Sequence, residues 1–227
     1  MNPALIILGV VIVLIIYLYF FYSTGETLLS DKMDLTVAQS PIAVANIVKP
    51  ESAIYSYEFW VNVGKYGGTP QTLFYRESNK THNNIGVYID GSSPSLKIDY
   101  VKNNTSYNKG TIVVTDNFPV QSWVHVIVSV SDKYIDTYMN GKLTKSIKET
   151  DGIYPQSKDS NPIVFGQHDG TILAKLTRTT KATDPQTAWD KYSAGNGENQ
   201  FSKYLGTLGM DVSLKKDNIE YSKFNLF

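Results

Sequence analysis

An uninterrupted apolar segment at the start of the chain constrains what the rest can become. From Pro3 to Tyr22 there is no charged side chain, and Ile, Leu, Val, Tyr and Phe fill most positions. About 20 helical residues, at roughly 1.5 Å each, cross a hydrocarbon core about 30 Å thick. The sequence therefore predicts a single transmembrane helix within residues 1–25. The aromatic residues at its C-terminal end, where rings favour the headgroup level, are Tyr17, Tyr19, Phe20, Phe21 and Tyr22.

A cleaved secretory signal is the alternative to an anchor. Such a signal has a positively charged start, an apolar stretch of about 7–15 residues and a small-residue cleavage site. Here no Lys or Arg precedes the apolar run, the run is longer, and Ser23-Thr24-Gly25 matches a cleavage site weakly. The anchor is favoured. Its orientation stays open, because Lys and Arg are scarce on both flanks.

Composition excludes several classes of function. Lys and Arg total 21, and so do Asp and Glu, so the formal net charge is zero. A nucleic-acid-binding protein needs a basic excess on one face, and nucleic acid is therefore not expected as a partner. The chain has no cysteine, which rules out thiolate metal sites and thiol nucleophiles and favours a reducing compartment.

Downstream of the anchor, residues 26–53 are predicted to form a connector of up to roughly 100 Å if fully extended, with a first short strand near 42–48. Residues 54–63 then alternate apolar and polar side chains, the pattern of a strand with one face on a core. Asn140-Gly141 between two β-rich runs is a strong hairpin signal. Further strands are predicted at 72–76, 85–90, 96–102, 111–115, 123–130, 134–139, 142–148, 163–166 and 171–178.

One helix is predicted, with Thr183 or Asp184 at its N-cap, Pro185 in its first turn and Gly195 at its C-cap. Many short strands with one helix indicate an all-β antiparallel sandwich over residues 54–198. Residues 199–227 form a C-terminal tail with apolar side chains. Two alternatives are open for this tail: it docks a partner, or it closes an edge of the sandwich.

A family resemblance rests on core and turn residues. The strand from Tyr57 to Val61, the run Trp123-Val124-His125-Val126, and the strand and turn from Tyr134 to Lys142 resemble the concanavalin A-like (laminin-G-like) jelly rolls. The run from Gly166 to Ile172 resembles a late turn and strand of the same fold. The resemblance implies an antiparallel jelly-roll sandwich and is nearly silent on function.

The assembly of anchor, cysteine-free sandwich, capped helix and tail resembles membrane-anchored virion proteins of large nucleocytoplasmic DNA viruses. It implies a structural virion protein, a minor capsid component that links an internal membrane to the protein shell. Its partners would then be the lipid membrane and capsid or other virion proteins. The implied location is the internal membrane under the capsid, and the chain would be a single-pass membrane protein in the infected host cell. The alternative is a membrane-anchored lectin that binds glycan.

No catalytic, cofactor-binding or metal-binding residue is predicted, and the protein is not expected to be an enzyme. Glucanases of this superfamily carry carboxylates at alternate positions of one strand, about 5–5.5 Å apart, and no run of alternating carboxylates of this kind occurs in the sequence.

His82, His125 and His168 are far apart in sequence, and His125 is expected to be a hydrogen-bonded sheet residue. Asp169-Gly170 is expected to be a tight turn, with calcium binding as the alternative. Tyrosine is abundant, and ordinary strand usage is the favoured explanation for residues such as Tyr66, Tyr75, Tyr88, Tyr107 and Tyr154. The alternatives are a protein interface or a glycan site, of which the interface is favoured.

Overall fold

Thirteen strands and one capped helix make up the computed structural model in the part of the chain that it describes, which is residues 9–16, 25–78, 82–155, 161–196, 211–216 and 219–225. Within those residues, no helix combines the length and the apolar composition that a membrane span requires. Residues 9–16 are helical, and the rest of the predicted anchor before residue 25 lies outside the described residues. The strands are β1 Glu26–Asp34, β2 Ile54–Val63, β3 Gln71–Arg76, β4 Ile85–Ile89, β5 Leu96–Val101, β6 Lys109–Thr115, β7 Trp123–Ser131, β8 Tyr134–Met139, β9 Lys142–Lys148, β10 Ile163–Phe165, β11 Thr171–Thr179, β12 Asp211–Lys216 and β13 Ile219–Asn225, and the helix is α1 Pro185–Ala194.

Two antiparallel sheets form the sandwich. One has six strands in the order β1-β11-β2-β7-β8-β9, and the other has five in the order β10-β3-β4-β5-β6. Alternate side chains of each strand point between the sheets, and the aromatic rings of Tyr57 and Phe59 contact Phe74 across the core at centroid distances of 5.5 and 5.3 Å. The predicted all-β antiparallel sandwich is confirmed.

Local turn chemistry fixes the hairpin between β8 and β9. Asn140 and Gly141 have φ angles of 48° and 75°, the pair of positive values that a type I′ turn requires. The Asn140 side chain also accepts a hydrogen bond from the backbone amide of His125 at 3.0 Å. The predicted hairpin is therefore confirmed, and its turn is fastened to the neighbouring strand β7.

The helix begins and ends where the sequence indicated. The carboxylate of Asp184 accepts hydrogen bonds from the backbone amides of Gln186 and Thr187, and Pro185 occupies the first turn. Gly195 follows the last turn with a φ of 78°. Of the two predicted caps, Asp184 is the one used.

The first strand of the sandwich lies earlier than predicted. Strand β1 pairs with β11 from Glu26↔Thr179 to Asp34↔Ile172, whereas residues 42–48 contribute an isolated bridge at Ile42 and a 3-10 turn at Val44–Asn46. The prediction failed because β1 is an edge strand. Most of its exposed side chains are charged, as is common at sheet edges, and Leu28 is exposed as well, so the apolar–polar alternation of a half-buried strand is missing.

The segment from Val48 to Pro50 is held against the sandwich by two buried arginines. Arg178 donates to the carbonyls of Val48 and Lys49 at 2.7 and 3.3 Å, and Arg76 donates to the carbonyl of Pro50 at 2.7 Å. Arg178 also lies over the ring of Tyr55, 5.3 Å from its centroid. Residues 26–53 thus include a strand and a loop that is fastened to the sandwich.

The described part of the tail forms a separate hairpin. Strands β12 and β13 pair with each other in a two-stranded sheet and join neither sheet of the sandwich. The remaining tail residues lie outside the described part of the chain. Among the described strands, closure of a sandwich edge by the tail, one of the two alternatives, is therefore not seen.

Candidate functional surfaces

Helix α1 covers part of the outer face of the six-stranded sheet. Ala188 is fully buried against Ile127 and Tyr138. The ring of Tyr192 stacks on Trp60 at a centroid distance of 5.7 Å and an interplanar angle of 22°. Trp60 interrupts the otherwise polar outer face of β2, and its ring forms part of the apolar surface under α1.

An ion-pair cluster lies beside this helix. His125 Nε2 is 3.2 Å from Glu58 Oε1, Lys191 of α1 pairs with the other Glu58 oxygen, and Lys191 Nζ is 3.1 Å from Glu26 Oε1. The cluster joins β1, β2, β7 and α1. As expected from the sequence, His125 is a buried, hydrogen-bonded residue of the sheet.

The cluster keeps Glu58 ionised. Burial by itself raises the pKa of Glu58, but the hydrogen bonds from His125 and Lys191 outweigh it and hold the pKa below the usual value. Burial likewise opposes the charge of Lys191, yet Glu58 and Glu26 raise its pKa. A carboxylate acting as general acid in glycoside hydrolysis needs a raised pKa, so Glu58 is unsuited to that role.

A cleft of about 490 Å³ opens between this cluster and strands β1 and β11. The sequence did not reveal that two of its carboxylates, Glu26 and Glu58, converge on one ammonium group. They belong to strands separated by β11 in the sheet, and Lys191 comes from a helix more than 130 residues later. Because Lys191 bridges them, the arrangement is suited to fastening α1 and β1 to the sheet. The cleft lining includes Glu26, Leu28, Glu58, Trp60, Lys175, Thr177 and Lys191.

The outer face of the five-stranded sheet carries a second polar and aromatic surface, named here the tyrosine face and defined by Tyr75, Gly86, Tyr88, Asp99 and Thr111. In the register of the sheet, Tyr75, Gly86, Asp99 and Thr111 lie side by side on β3, β4, β5 and β6. Gly86 is buried between Tyr75 and Asp99, and a Cβ at this position would lie 3.5 Å from the Cβ of Tyr75. Tyr75 and Tyr88 are both half-buried.

Hydrogen bonds order this surface around Asp99. Its Oδ1 accepts from Thr111 at 2.7 Å and from Tyr88 at 3.3 Å, and its Oδ2 pairs with Lys109 at 2.7 Å. Burial, reinforced by Asp99, raises the pKa of Tyr88 to about 12. Tyr88 is thus a neutral hydrogen-bonding phenol at physiological pH. The tyrosine face thus combines two half-buried tyrosines with a carboxylate that three neighbouring side chains hold in place.

Comparison with known proteins agrees with this architecture. Residues 37–174 match a laminin G-type domain model of the concanavalin A-like lectin/glucanases superfamily. The chain belongs to this superfamily. No curated protein matches it.

Among solved structures, this superfamily member is similar to receptor-binding domains of botulinum neurotoxins. The receptor-binding domain of the C/D mosaic serotype has a TM-score of 0.53 at 14% identity, covering 64% of this chain and 37% of that chain. The binding domain of neurotoxin DC, solved in complex with rat synaptotagmin II, has a TM-score of 0.51 at 16% identity and covers 64% and 37%. The chain thus spans less than half the length of these structures, and the likeness concerns the fold.

The other residues singled out from the sequence of this lectin-like domain do not converge on one site. His168 Nε2 donates to the carbonyl of Thr72 at 3.1 Å, far in the chain from His125 and His82. No group of three His, Asp or Glu residues able to hold a metal occurs among the described residues. Asp169 and Gly170 form a turn before β11, with Gly170 at a φ of 67°.

The tyrosines singled out from the sequence also separate into groups. Tyr107 and Tyr154 contact each other edge to face at 5.2 Å, and Tyr66 donates to the carbonyl of Asp90 at 2.7 Å. Tyr75 and Tyr88 share the tyrosine face, which strand alternation at Gly86 and Tyr88 could have indicated from the sequence.

Proposed function

We propose that this protein is a non-catalytic, membrane-mounted docking protein, a minor structural component of a virion that links an internal membrane to the protein shell. The anchor is the uncharged segment from Pro3 to Tyr22. The lectin-like sandwich presents its tyrosine face to a protein of the shell. The observation that carries the proposal is the position of β1 directly behind the apolar segment.

Strand β1 leaves only a short link between the apolar segment and the sandwich, and this link is called the mounting. Three residues, 23–25, separate Tyr22 from Glu26, and Thr180 already donates to the carbonyl of Gly25 at 3.1 Å. Three extended residues span about 10 Å at most. A helix ending at Tyr22 would therefore hold the sandwich close to the headgroups, and the protein would act as a short bracket.

The ion-pair cluster supports a structural role over a catalytic one. Glu26 and Glu58 share Lys191, and the lowered pKa of Glu58 leaves it unable to supply a proton at neutral pH. The buried side of α1 is likewise used for packing on Trp60 and Ile127. The tyrosine face, in contrast, has the half-buried side chains of Tyr75 and Tyr88 at the outer surface of the other sheet, where a partner would contact them.

Incorporation into particles tests the proposal. The chain should co-purify with membrane-containing virions whose external surface has been digested with protease. The double change Tyr75→Ala and Tyr88→Ala should leave the chain in membranes but remove it from particles. The matched control is Leu143→Ser, an exposed apolar residue on the other sheet, which should incorporate normally. Absence of the parent chain from digested particles would contradict the virion role.

Glycan binding is the second candidate, and the same surface favours it. Tyrosine rings stack on sugars, and a fixed carboxylate such as Asp99 accepts hydrogen bonds from sugar hydroxyls. Similar folds serve as receptor-binding domains in the neurotoxins named above. A glycan array decides between the candidates: specific binding that Tyr88→Ala removes and Leu143→Ser retains would favour a membrane-anchored lectin.

A further inference from the structure

A basic cleft lies where the edges of the two sheets meet. It has a volume of about 540 Å³ and runs between β6, the edge of the five-stranded sheet, and β9, the edge of the six-stranded sheet. Four lysines from both sheets line it. They are Lys102, Lys109, Lys145 and Lys148.

The charge of this basic cleft is not balanced by its own carboxylate. Glu149 is the acidic residue of the lining, and one of its oxygens already accepts from Lys102 at 2.9 Å and from Tyr100 at 2.8 Å. Lys148 lies over the ring of Tyr134 at 5.6 Å. Lys109 pairs with Asp99 at 2.7 Å. Among the described residues, neither Lys145 nor Lys148 has an ion-pair partner. The cleft therefore keeps an excess of positive charge in a chain whose net charge is zero.

Edge protection does not account for the whole basic cleft. Lysines on an edge strand prevent pairing with other chains, and this explains the exposed lysines of β9. It does not account for the position of these lysines beside Lys102 and Lys109, which Glu149 and Asp99 already pair. The unpaired lysines of β9 leave the excess of positive charge that an anionic group would select.

The register places the basic cleft at the same end of the sandwich as the start of β1. Glu26 shares a row with Thr179, Ser56, Ser129, Asp136 and Ser146 across the six-stranded sheet. Lys148 lies two residues beyond Ser146, towards the end at which the chain enters from the anchor. Five strand spacings of about 4.8 Å separate the two edges, roughly 24 Å in all.

We infer that the basic cleft binds the phosphoryl headgroups of anionic lipids in the membrane that holds the anchor, an inference that rests on the proposed mounting. The short mounting keeps this end of the sandwich near the bilayer. Basic groups close to a membrane surface are attracted to anionic lipids. The anchor and the cleft would then be two attachments at opposite edges of one sheet, and together they would fix the tilt of the domain on the membrane.

The absence of cysteine allows a site-specific test with the full chain. Thr150 is exposed and lies one residue past Glu149, so Thr150→Cys places a unique thiol for a donor dye beside the basic cleft. The labelled chain is reconstituted in vesicles of phosphatidylcholine, with or without phosphatidylserine, that carry an acceptor dye on their headgroups. Energy transfer should be higher with phosphatidylserine, and high salt should remove the increase.

Charge reversal identifies the lysines responsible. Lys145→Glu with Lys148→Glu should abolish the increase caused by phosphatidylserine. The matched control, Lys65→Glu with Lys142→Glu, makes the same change in charge at exposed positions outside the cleft and should retain it. Retention of the increase in the first variant would overturn the inference.

Flotation separates this inference from the proposed function. If the full chain does not float with either kind of vesicle after an alkaline wash, the membrane mounting itself is wrong. If it floats with both and energy transfer does not depend on phosphatidylserine, the mounting stands and the lipid site is wrong. If a soluble heparin fragment binds through Lys145 and Lys148 while phosphatidylserine has no effect, the basic cleft is a site for sulfated glycan and the lipid inference is again overturned.

Discussion

Tyr100 Oη donates a hydrogen bond to Glu149 Oε1 over 2.8 Å, and the ring of Tyr100 lies against Gly110. The bond joins β5 of one sheet to the residue that follows β9 of the other. Burial and the Glu149 carboxylate raise the pKa of Tyr100, so the phenol stays a donor at physiological pH. Glycine at position 110 makes this link between the sheets possible.

Gly110→Ala should therefore destabilise the domain. A methyl group there would overlap the Tyr100 ring, with Oη 2.5 Å away, and overpacking of this kind costs about 1–3 kcal/mol. Gly86→Ala is the matched control, because a methyl on that strand residue meets Tyr75 at an ordinary 3.5 Å. Urea denaturation measures both. Equal unfolding free energies for the two variants would show that the ring moves aside freely.

Truncation should separate the anchor from the fold. Removal of residues 1–24 leaves β1 intact, and we expect a soluble, folded domain. Removal of residues 1–53 deletes β1 and the carbonyls of Val48, Lys49 and Pro50 that Arg178 and Arg76 bind. Buried arginines without these acceptors destabilise strongly, and the shorter product should be unfolded by circular dichroism. A folded product lacking residues 1–53 would mean that β1 is dispensable.

Acid should weaken the ion pairs that hold α1 against the sheet. The pKa of Glu58 is lowered in the folded state from 4.5. Its contribution to stability is therefore complete above about pH 4.5 and is lost as pH falls through the folded value. Lys191 has a raised pKa, so its contribution is lost only as pH rises beyond 10.5, through its folded value.

Glu58→Gln should lower the unfolding free energy at pH 7 by about 2 kcal/mol and flatten the loss of stability below pH 4.5. Asp31→Asn serves as the control, since the Asp31 side chain is 69% exposed in its pair with Lys175 and such pairs contribute about 0–1 kcal/mol. An acid profile of Glu58→Gln that superimposes on that of the parent chain would assign the acid sensitivity to other carboxylates.

Trp60 should matter more to stability than Trp123. The sequence motif drew attention to Trp123 as a core residue, but it lies on the face of β7 opposite to the buried Val124 and Val126, and it is half-buried. Trp60 is 6% exposed and stacked on Tyr192. We expect Trp60→Ala to cost about 3 kcal/mol or more and Trp123→Ala to cost less. Thermal unfolding checks the order, and the reverse order would place Trp123 in the core.

The domain should not hydrolyse polysaccharides, with or without calcium. The two carboxylates that meet in the cleft are joined by Lys191, and the lowered pKa of Glu58 removes the general acid. Reducing-sugar release from β-glucans is the measurement. Hydrolysis that disappears in Glu58→Gln but persists in Asp31→Asn would identify the cleft as an active site.

Local chemistry made much of the fold predictable. The turn at Asn140-Gly141, the cap at Asp184 and the alternation in β2 and β7 are each decided by neighbours in sequence, and all are present in the structure. Strand β1 was missed because its partner β11 lies about 140 residues away and its exposed charges hide the pattern.

The surfaces were less accessible to sequence reasoning. The ion-pair cluster of Glu26, Glu58 and Lys191 depends on the strand order and on the position of α1. Neither can be predicted from a local sequence pattern. The burial of Arg76 and Arg178 was missed for the same reason, since carbonyls of a distant loop satisfy them. The tyrosine face was easier to predict, because Tyr75 and Tyr88 occupy outward positions of strands that the sequence did predict.

The position of β1 also decides how the domain bears mechanical load. Its hydrogen bonds to β11 run perpendicular to the strand axis, from Glu26 to Asp34. Under the proposed mounting, a force that separates membrane and domain would act through Gly25 along that axis, so the bonds would be strained together in shear and would not open one after another. An edge strand, ordinarily the easiest to peel from a sheet, is here pulled in the direction in which it resists most.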